Sequence, residues 1–211
     1  MDLANVLEKM KGHTANILGQ KDLKQYAVLL PLLEINNEMH VLFEVRSLNL
    51  RRQPGEICFP GGKIEQDDVD QSQCAVRETS EELGIRESDI ENVVPLDYML
   101  NIAGTIIYPY VGTIKTFEKI IPNPLEVAEV FTVPLNYFIK TKPEVYKLDI
   151  KIVPEKDFPL DLLIGGENYN WQTQQIDEYF YHYNGKVIWG LTAKILVHFL
   201  SILTGDTEKN L

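Results

Sequence analysis

Residues 59–85 read FPGGKIEQDDVDQSQCAVRETSEELGI, and the second half of this stretch decides how the rest is read. Glu78, Glu81 and Glu82 stand within about one helical turn, beside Arg77 and shortly after the diglycine Gly61-Gly62. Two carboxylates ~4 Å apart repel by roughly 1 kcal/mol in water, and by more where water is scarce. A surface helix relieves such crowding with Lys at i,i+4, yet no Lys occurs between Lys63 and Lys115. The positive partner is missing from the chain itself.

Ser72 offers an N-cap for a helix running to about Leu83, and Gly84 fits its stop position. On that helix Glu78 and Glu82 are four residues apart and Glu78 and Glu81 three, so the carboxylates are expected on one side. Ala75, Val76, Thr79 and Leu83 fall opposite, where they can pack on a sheet. A divalent cation resolves the repulsion. Mg²⁺ takes oxygen ligands, using a few carboxylates together with waters and substrate phosphate oxygens. A merely solvated acidic face carries the same letters, so the longer context has to decide.

Arg77, Glu78, Glu81, Glu82, Gly84 and Ile85 resemble the Nudix box, the signature of Nudix hydrolases. Its usual form is G-x5-E-x7-R-E-U-x-E-E-x-G-U, with U aliphatic, and here it covers about residues 62–85. Thr79 departs from the aliphatic position, the diglycine lies one residue further from Arg77, and Glu65 or Asp68 meets the early acidic position loosely. Residues 42–84, LFEVRSLNLRRQPGEICFPGGKIEQDDVDQSQCAVRETSEELG, are similar to one branch of the family, the coenzyme A pyrophosphatases. That branch reads roughly LLTxRSxxLRxHxGxVxFPGGxxDxxDxxxxxxALREAxEExG and carries the same extra residue. Arg46, Ser47, Leu50, Arg51, Gly55, Ile57, Phe59, Pro60, Gly61 and Gly62 align with it. Asp68 sits at its second acidic loop position. Gln53 stands for its His, Glu44 for its Thr and Glu65 for its first loop Asp. NPLEVAEVFTVPL and IWGLTAKIL look like later segments of the branch, so the resemblance spans roughly residues 40–200.

The resemblance implies an α/β protein of α+β type, the Nudix fold, with a mixed β-sheet sandwiched between helices and residues 1–211 as one domain. It implies hydrolysis of the pyrophosphate bond of coenzyme A or a derivative, to 3′,5′-ADP and 4′-phosphopantetheine, with Mg²⁺ or Mn²⁺. Glu78 and Glu82 are then the main metal ligands, and Glu81 a further ligand or the base. Arg77 orients a glutamate by a charge-assisted hydrogen bond. Gly61, Gly62 and Gly84 serve the structural turns of the box. A base on a later loop is common in Nudix enzymes; Glu126 is the first candidate and Glu129 the second. Coenzyme A carries a 3′-phosphate, and Arg46, Arg51 and Arg52 lie within seven residues of one another, as a phosphate grip would need. Bracing of that loop through Glu44 or Glu56 is the competing role for the arginines, and Lys63 is a candidate for the pyrophosphate.

Two other functions stay open. One is a Nudix pyrophosphatase of another nucleotide, such as ADP-ribose or a dinucleoside polyphosphate, because the box handles only the shared pyrophosphate. The other is a non-catalytic nucleotide-binding module, against which the full set of helix glutamates speaks. The upstream RSLNLRRQPGE favours coenzyme A. A homodimer is common among Nudix proteins, and no feature of the chain decides for or against one.

The whole chain agrees with this frame. Its 211 residues suffice for a domain with a real core, and 45% hydrophobic with 24% charged residues is ordinary globular composition. A net charge of −11 speaks against a broad nucleic-acid surface. Cys58 and Cys74 have neither metal-ligand nor redox spacing, which fits thiols in a reduced compartment. The N-terminus has no signal-peptide pattern, and Lys194 and His198 interrupt the apolar run at 187–205, so a cytoplasmic protein without a membrane span is expected. Strands are expected at YAVLLPLLEI, HVLFEVRS, ICFPGG, NVVPLDYML, TIIYPYVGTI and YKLDIKIVP, with a hairpin on Asn184-Gly185. Helices are expected over 2–12 and from Leu191 to Leu203, with Trp189 packed beneath the latter. Tyr108 and Tyr110 are read as core aromatics, with base stacking as the alternative.

Overall fold

The computed structural model describes residues 2–101, 104–115 and 117–205. Helix α1 (Leu3–Met10) is capped by Asp2, whose carboxylate accepts from the Asn5 N–H, and its apolar face of Leu3, Val6, Leu7 and Met10 is exposed. Strand β1 (Lys24–Ile35) is apolar along most of its length, the pattern of a strand covered on both faces. It turns into β2 (Glu38–Arg46) at Asn36 and Asn37, whose φ values are 52° and 64°. Two left-handed residues make a type I′ hairpin, which Asn tolerates.

β1 and β2 pair only between Leu32–Ile35 and Glu38–Val41. Beyond that they splay apart. The opening takes β3 (Ile57–Cys58) against β2 and β4 (Gly61–Lys63) against β1. Phe59-Pro60 crosses between them, and the Pro60 carbonyl accepts from the Leu29 N–H at 2.9 Å. The diglycine is thereby seated inside a split in the sheet. β5 (Ile90–Pro95) and β6 (Met99–Asn101) pair with β7 (Thr105–Ile114), which runs parallel to β1, and β8 (Val127–Pro134) pairs with the far edge of β2. Among the described residues these eight strands form one mixed sheet.

Helix α2 (Gln71–Leu83) covers one face, packing Cys74 and Ala75 on Ala27, Leu29 and Ile90, and Leu83 on Leu33, Leu42 and Ile114. It starts at Asp70, whose carboxylate accepts from the Gln73 N–H at 2.8 Å, while Gln73 Oε1 accepts from the Val69 N–H at 3.3 Å. That reciprocal cap outcompetes the expected Ser72. The other face meets α3 (Leu135–Lys140), a second sheet of β9 (Glu144–Ile150), β10 (Gln174–Tyr183) and β11 (Lys186–Trp189), and α4 (Gly190–Thr204). Leu30, Val41 and Phe43 pack there with Tyr179, Tyr181, Ile188 and Leu196. Phe43 lies 5.1 Å from Phe59 and 5.4 Å from Phe131 between ring centroids. The sandwich is the α+β arrangement expected, except that the late strands build their own sheet beside α4. Trp189 is not beneath α4: it is partly exposed at the start of that helix, stacked on Phe180. No helix among the described residues is long and apolar enough to cross a membrane.

Candidate active site

The split in the sheet opens into a cleft of about 610 Å³. Gly61, Gly62, Glu78, Glu82, Glu126, Arg46 and Arg52 line it. The helix carboxylates do not share one environment. Glu82 is buried, and its Oε2 accepts from the Gly61 N–H at 2.8 Å. Glu78 is half-buried under the diglycine: a Cβ built on Gly62 would fall 2.2 Å from the Glu78 carboxyl carbon. Glycine is required there by close approach rather than by backbone angle. Glu81 turns outward, is exposed, and meets Arg77 Nη1 at 3.4 Å.

Arg77 ties the box together. Its Nε and Nη2 donate to Asp68 Oδ1 and Oδ2 at 2.9 and 3.1 Å, and its Nη1 lies 2.9 Å from Glu78 Oε1. A planar guanidinium is suited to such two-pronged pairing. The contact holds the Asp68 carboxyl down at about 2. The far end of α2 is fixed just as firmly. Gly84 adopts the left-handed conformation, and a Cβ on it would strike the Ile121 carbonyl at 2.0 Å. The Ile121 and Asn123 N–H groups donate to the Leu83 and Glu82 carbonyls at 3.0 and 2.9 Å. This loop leads to Glu126, whose carbonyl accepts from the Ser47 N–H at 2.7 Å. Glu126 therefore reaches the cleft rim from a segment anchored at both sides.

Burial dominates the electrostatics. Desolvation, and then the Glu44 charge, push the Glu82 carboxyl up to about 9, with the Gly61 hydrogen bond opposing and Glu78 and Glu126 adding. Glu44 is raised to about 7 by desolvation, against the pull of Cys58 and Arg46. Glu78 is raised by desolvation in spite of Arg77, with Glu81 and Glu126 adding. Cys58 donates from Sγ to Glu44 Oε1 at 3.2 Å, and burial pushes its thiol far up.

The structure brings Glu78, Glu82, Glu126, Arg46 and Arg52 to one cleft, while Arg51, Lys63 and Glu81 stand outside its wall. Glu129 pairs with Lys186 at 2.7 Å, also outside it. Tyr108 and Tyr110 pack on the α2 side of the sheet. Glu178 on β10 joins the cleft wall with a buried Oε2 that has no hydrogen-bond partner among the described residues. Nothing in the strand pattern EYFYHY marks it out, because its place depends on the second sheet folding back.

Among the described residues no three carboxylate, imidazole or thiol groups are drawn around one point. Glu82 is turned to Gly61 and Glu78 to Arg77. The donor set nonetheless fits a hard divalent cation. Desolvation and neighbouring carboxylates raise Glu44, Glu78 and Glu82, and the buried Glu44 Oε2 has no hydrogen-bond partner among the described residues, as oxygen donors stand when their counter-charge is lacking.

An acidic helix laid across a split sheet, with glycine pressed against its carboxylate, is the arrangement of a Nudix hydrolase. Sequence comparison agrees: residues 23–154 match the NUDIX domain, and the chain belongs to that family. It is 40% identical over 122 residues to the peroxisomal coenzyme A diphosphatase NUDT7 of Mus musculus, covering 58% of this chain and 51% of that protein. It is 33% identical over 185 residues to the mitochondrial Nudix hydrolase 15 of Arabidopsis thaliana, covering 85% of this chain and 58% of that one. An uncharacterized Nudix hydrolase, NudL, of Pectobacterium atrosepticum is 30% identical over 183 residues, covering 87% and 84%. The chain thus spans little more than half the length of the mouse and Arabidopsis proteins.

Proposed function

We propose that this Nudix hydrolase cleaves the pyrophosphate bond of coenzyme A or one of its derivatives, releasing 3′,5′-ADP and 4′-phosphopantetheine or its acylated form. The observation that carries the reading is one cleft lined by Glu78, Glu82 and Glu126 and also by Arg46 and Arg52. A pyrophosphate flanked by a further phosphate needs both kinds of group. The RSLNLRRQPGEICFPGG stretch and the relative named as a coenzyme A diphosphatase support the substrate class. Residues 1–211 act in this reading as one Nudix domain. β10, β11 and α4, which lie beyond the family match, share a core with Leu30 and Phe43.

Glu78 and Glu82 would hold Mg²⁺ or Mn²⁺, with Glu81 as an outer carboxylate. A bound divalent cation neutralises pyrophosphate charge and acidifies an attacking water. Arg77, fixed by Asp68, orients Glu78. Glu126 accepts the proton of the attacking water, as a base positioned by its anchored loop. One P–O bond forms to the water oxygen and the bridging P–O bond breaks, leaving each product with a phosphate monoester. Arg46, whose Nε is buried and unpartnered among the described residues, and the exposed Arg52 grip the remaining phosphate. Free thiols at Cys58 and Cys74 suit a reducing compartment such as the cytoplasm.

The test is hydrolysis of coenzyme A, dephospho-coenzyme A and ADP-ribose with Mg²⁺ or Mn²⁺, with products identified by mass. Preference for coenzyme A over the dephospho form, lost in Arg46→Ala or Arg52→Ala, is expected. Equal turnover of the two would discard the phosphate-grip role. A preference for ADP-ribose would move the chain to the other pyrophosphatase reading, and no turnover of any would leave the binding-module reading.

A further inference from the structure

Glu44 is a charged residue placed where a core residue belongs. It lies on β2 opposite Cys58, with Phe43 before it in the main core, and is 1% exposed. Oε1 accepts from the Cys58 thiol at 3.2 Å, whereas Oε2 is buried with no hydrogen-bond partner among the described residues. A buried carboxylate oxygen without a partner is costly, and proteins seldom keep one unless a ligand completes it. Arg46 bears on Glu44 electrostatically, but no ion pair joins them, and the Arg46 Nε is itself unpartnered. Glu44 stands directly behind the cleft wall, since Cys58, which holds its Oε1, lines the cleft beside Glu78 and Glu82, and Glu82 feels the Glu44 charge. An oxygen donor without a donor group to meet, facing other oxygen donors, calls for a cation.

We propose that Glu44 is a further carboxylate of the divalent-cation site, contributing Oε2 to a cation held by Glu78 and Glu82. The inference rests on the cation-dependent hydrolase reading above. The branch pattern that residues 42–84 resemble has Thr where this chain has Glu44, so the carboxylate is an addition to that pattern. It gives the site one more anionic donor from a rigid central strand rather than from the helix. The consequence is tighter cation binding than the box glutamates alone provide, at the cost of a less stable cation-free fold.

The test is Mn²⁺ binding to the full chain, read by the loss of the free-ion paramagnetic resonance signal, for wild type, Glu44→Gln, Glu44→Thr and Glu82→Gln. Melting of each protein in a chelator is measured alongside. Both Glu44 variants are expected to weaken Mn²⁺ binding by about 10-fold or more, with a cation-free melting temperature at or above that of wild type. Unchanged affinity in either Glu44 variant overturns the inference, as it would if a buried water completed Oε2. A fall in cation-free melting temperature in both variants also overturns it, because Glu44 would then be supporting the fold. If wild type binds no Mn²⁺, or Glu82→Gln binds it as tightly, the hydrolase reading fails as well. If those two behave as expected and the Glu44 variants do not, the inference alone is lost.

Discussion

Replacing Glu82 by Gln separates what the fold needs from what the chemistry needs. Gln has the same shape, and its Oε1 can still accept from the Gly61 N–H that Glu82 Oε2 now holds at 2.8 Å. Only the charge is removed. The folded pKa of Glu82 is raised from 4.5 to about 9, so the folded protein binds more protons than the unfolded chain between those values. Stability of the cation-free protein therefore falls as pH rises through that window. By pH 7 the interval above 4.5 is worth about 3 kcal/mol at ~1.4 kcal/mol per unit. Part of that repulsion is shared with Glu44 and disappears with either group, so about 1–3 kcal/mol of stabilisation is expected for the variant. For a chain of this length that raises the melting temperature by roughly 2–10 °C. The gain should shrink as pH falls and vanish below pH 4.5, where neither state carries the charge.

The assay is thermal unfolding of both proteins in chelator across pH, with turnover measured in Mg²⁺. Glu82→Gln should melt higher than wild type near neutral pH and yet lose at least ~100-fold in turnover, since a negative oxygen donor to the cation has gone. Adding Mg²⁺ or Mn²⁺ should raise the melting temperature of wild type far more than that of the variant. The reasoning is refuted if the variant melts below wild type near neutral pH without cation, or if it hydrolyses substrate at close to the normal rate.

Gly62→Ala puts a methyl group 2.2 Å from the Glu78 carboxyl carbon, at a glycine without positive φ, so the carboxylate must move while the strand remains. Turnover is expected to drop by about 100-fold, with circular dichroism and cooperative unfolding retained; unchanged kcat would mean that Glu78 does not work from its present position. Asp68→Asn removes the two-pronged partner of Arg77 and should destabilise the protein by about 2 kcal/mol at neutral pH, in line with the fall of the Asp68 pKa from 3.8 to about 2. A depressed carboxylate stabilises above its unfolded pKa and loses that contribution as pH falls through the folded value, so wild type alone should lose this increment between about pH 4 and about pH 2 in urea titrations. Equal stability of the two proteins at neutral pH would remove Asp68 from the brace.

The acidic helix was legible because its signals are local. The stop at Gly84 follows from left-handed geometry, and the run from Arg77 to Glu82 is a spacing pattern on one element. Spacing alone, however, groups Glu82 with Glu78 and Glu81 on a polar side, whereas the folded chain buries Glu82 and leaves Glu81 outside the cleft. What decides is the split between β1 and β2, a long-range event that brings the Gly61 N–H up to the buried edge of α2. The same limit governs the arginines. Three lie within seven residues, but the end of β2 places Arg46 and the following loop Arg52 in the cleft wall, while Arg51 stands outside it. Glu178 arrives only through the return of β10, and Glu44 is visible in the sequence as an exchange for Thr, though not as a buried oxygen without a partner.

These failures of local reasoning fall on residues where burial and charge conflict, and the conflict has a direction. Desolvation raises both Glu44 and Glu82, with Glu126 adding at the first and Glu44 at the second, so each lowers the stability of the cation-free fold while keeping a carboxylate oxygen available to a cation. Asp68 and Arg77 are an internally satisfied pair, whose contribution needs no ligand. Substitutions at the first two should therefore move cation-free stability and cation affinity in opposite senses, whereas a substitution at Asp68 should lower stability and, by releasing Arg77 from its hold beside Glu78, weaken the site too. A hydrolase site built on unpaired carboxylates requires that inverse relation at Glu44 and Glu82. A solvated acidic face, with its charges free in water, would give neither the stability gain nor the loss of binding.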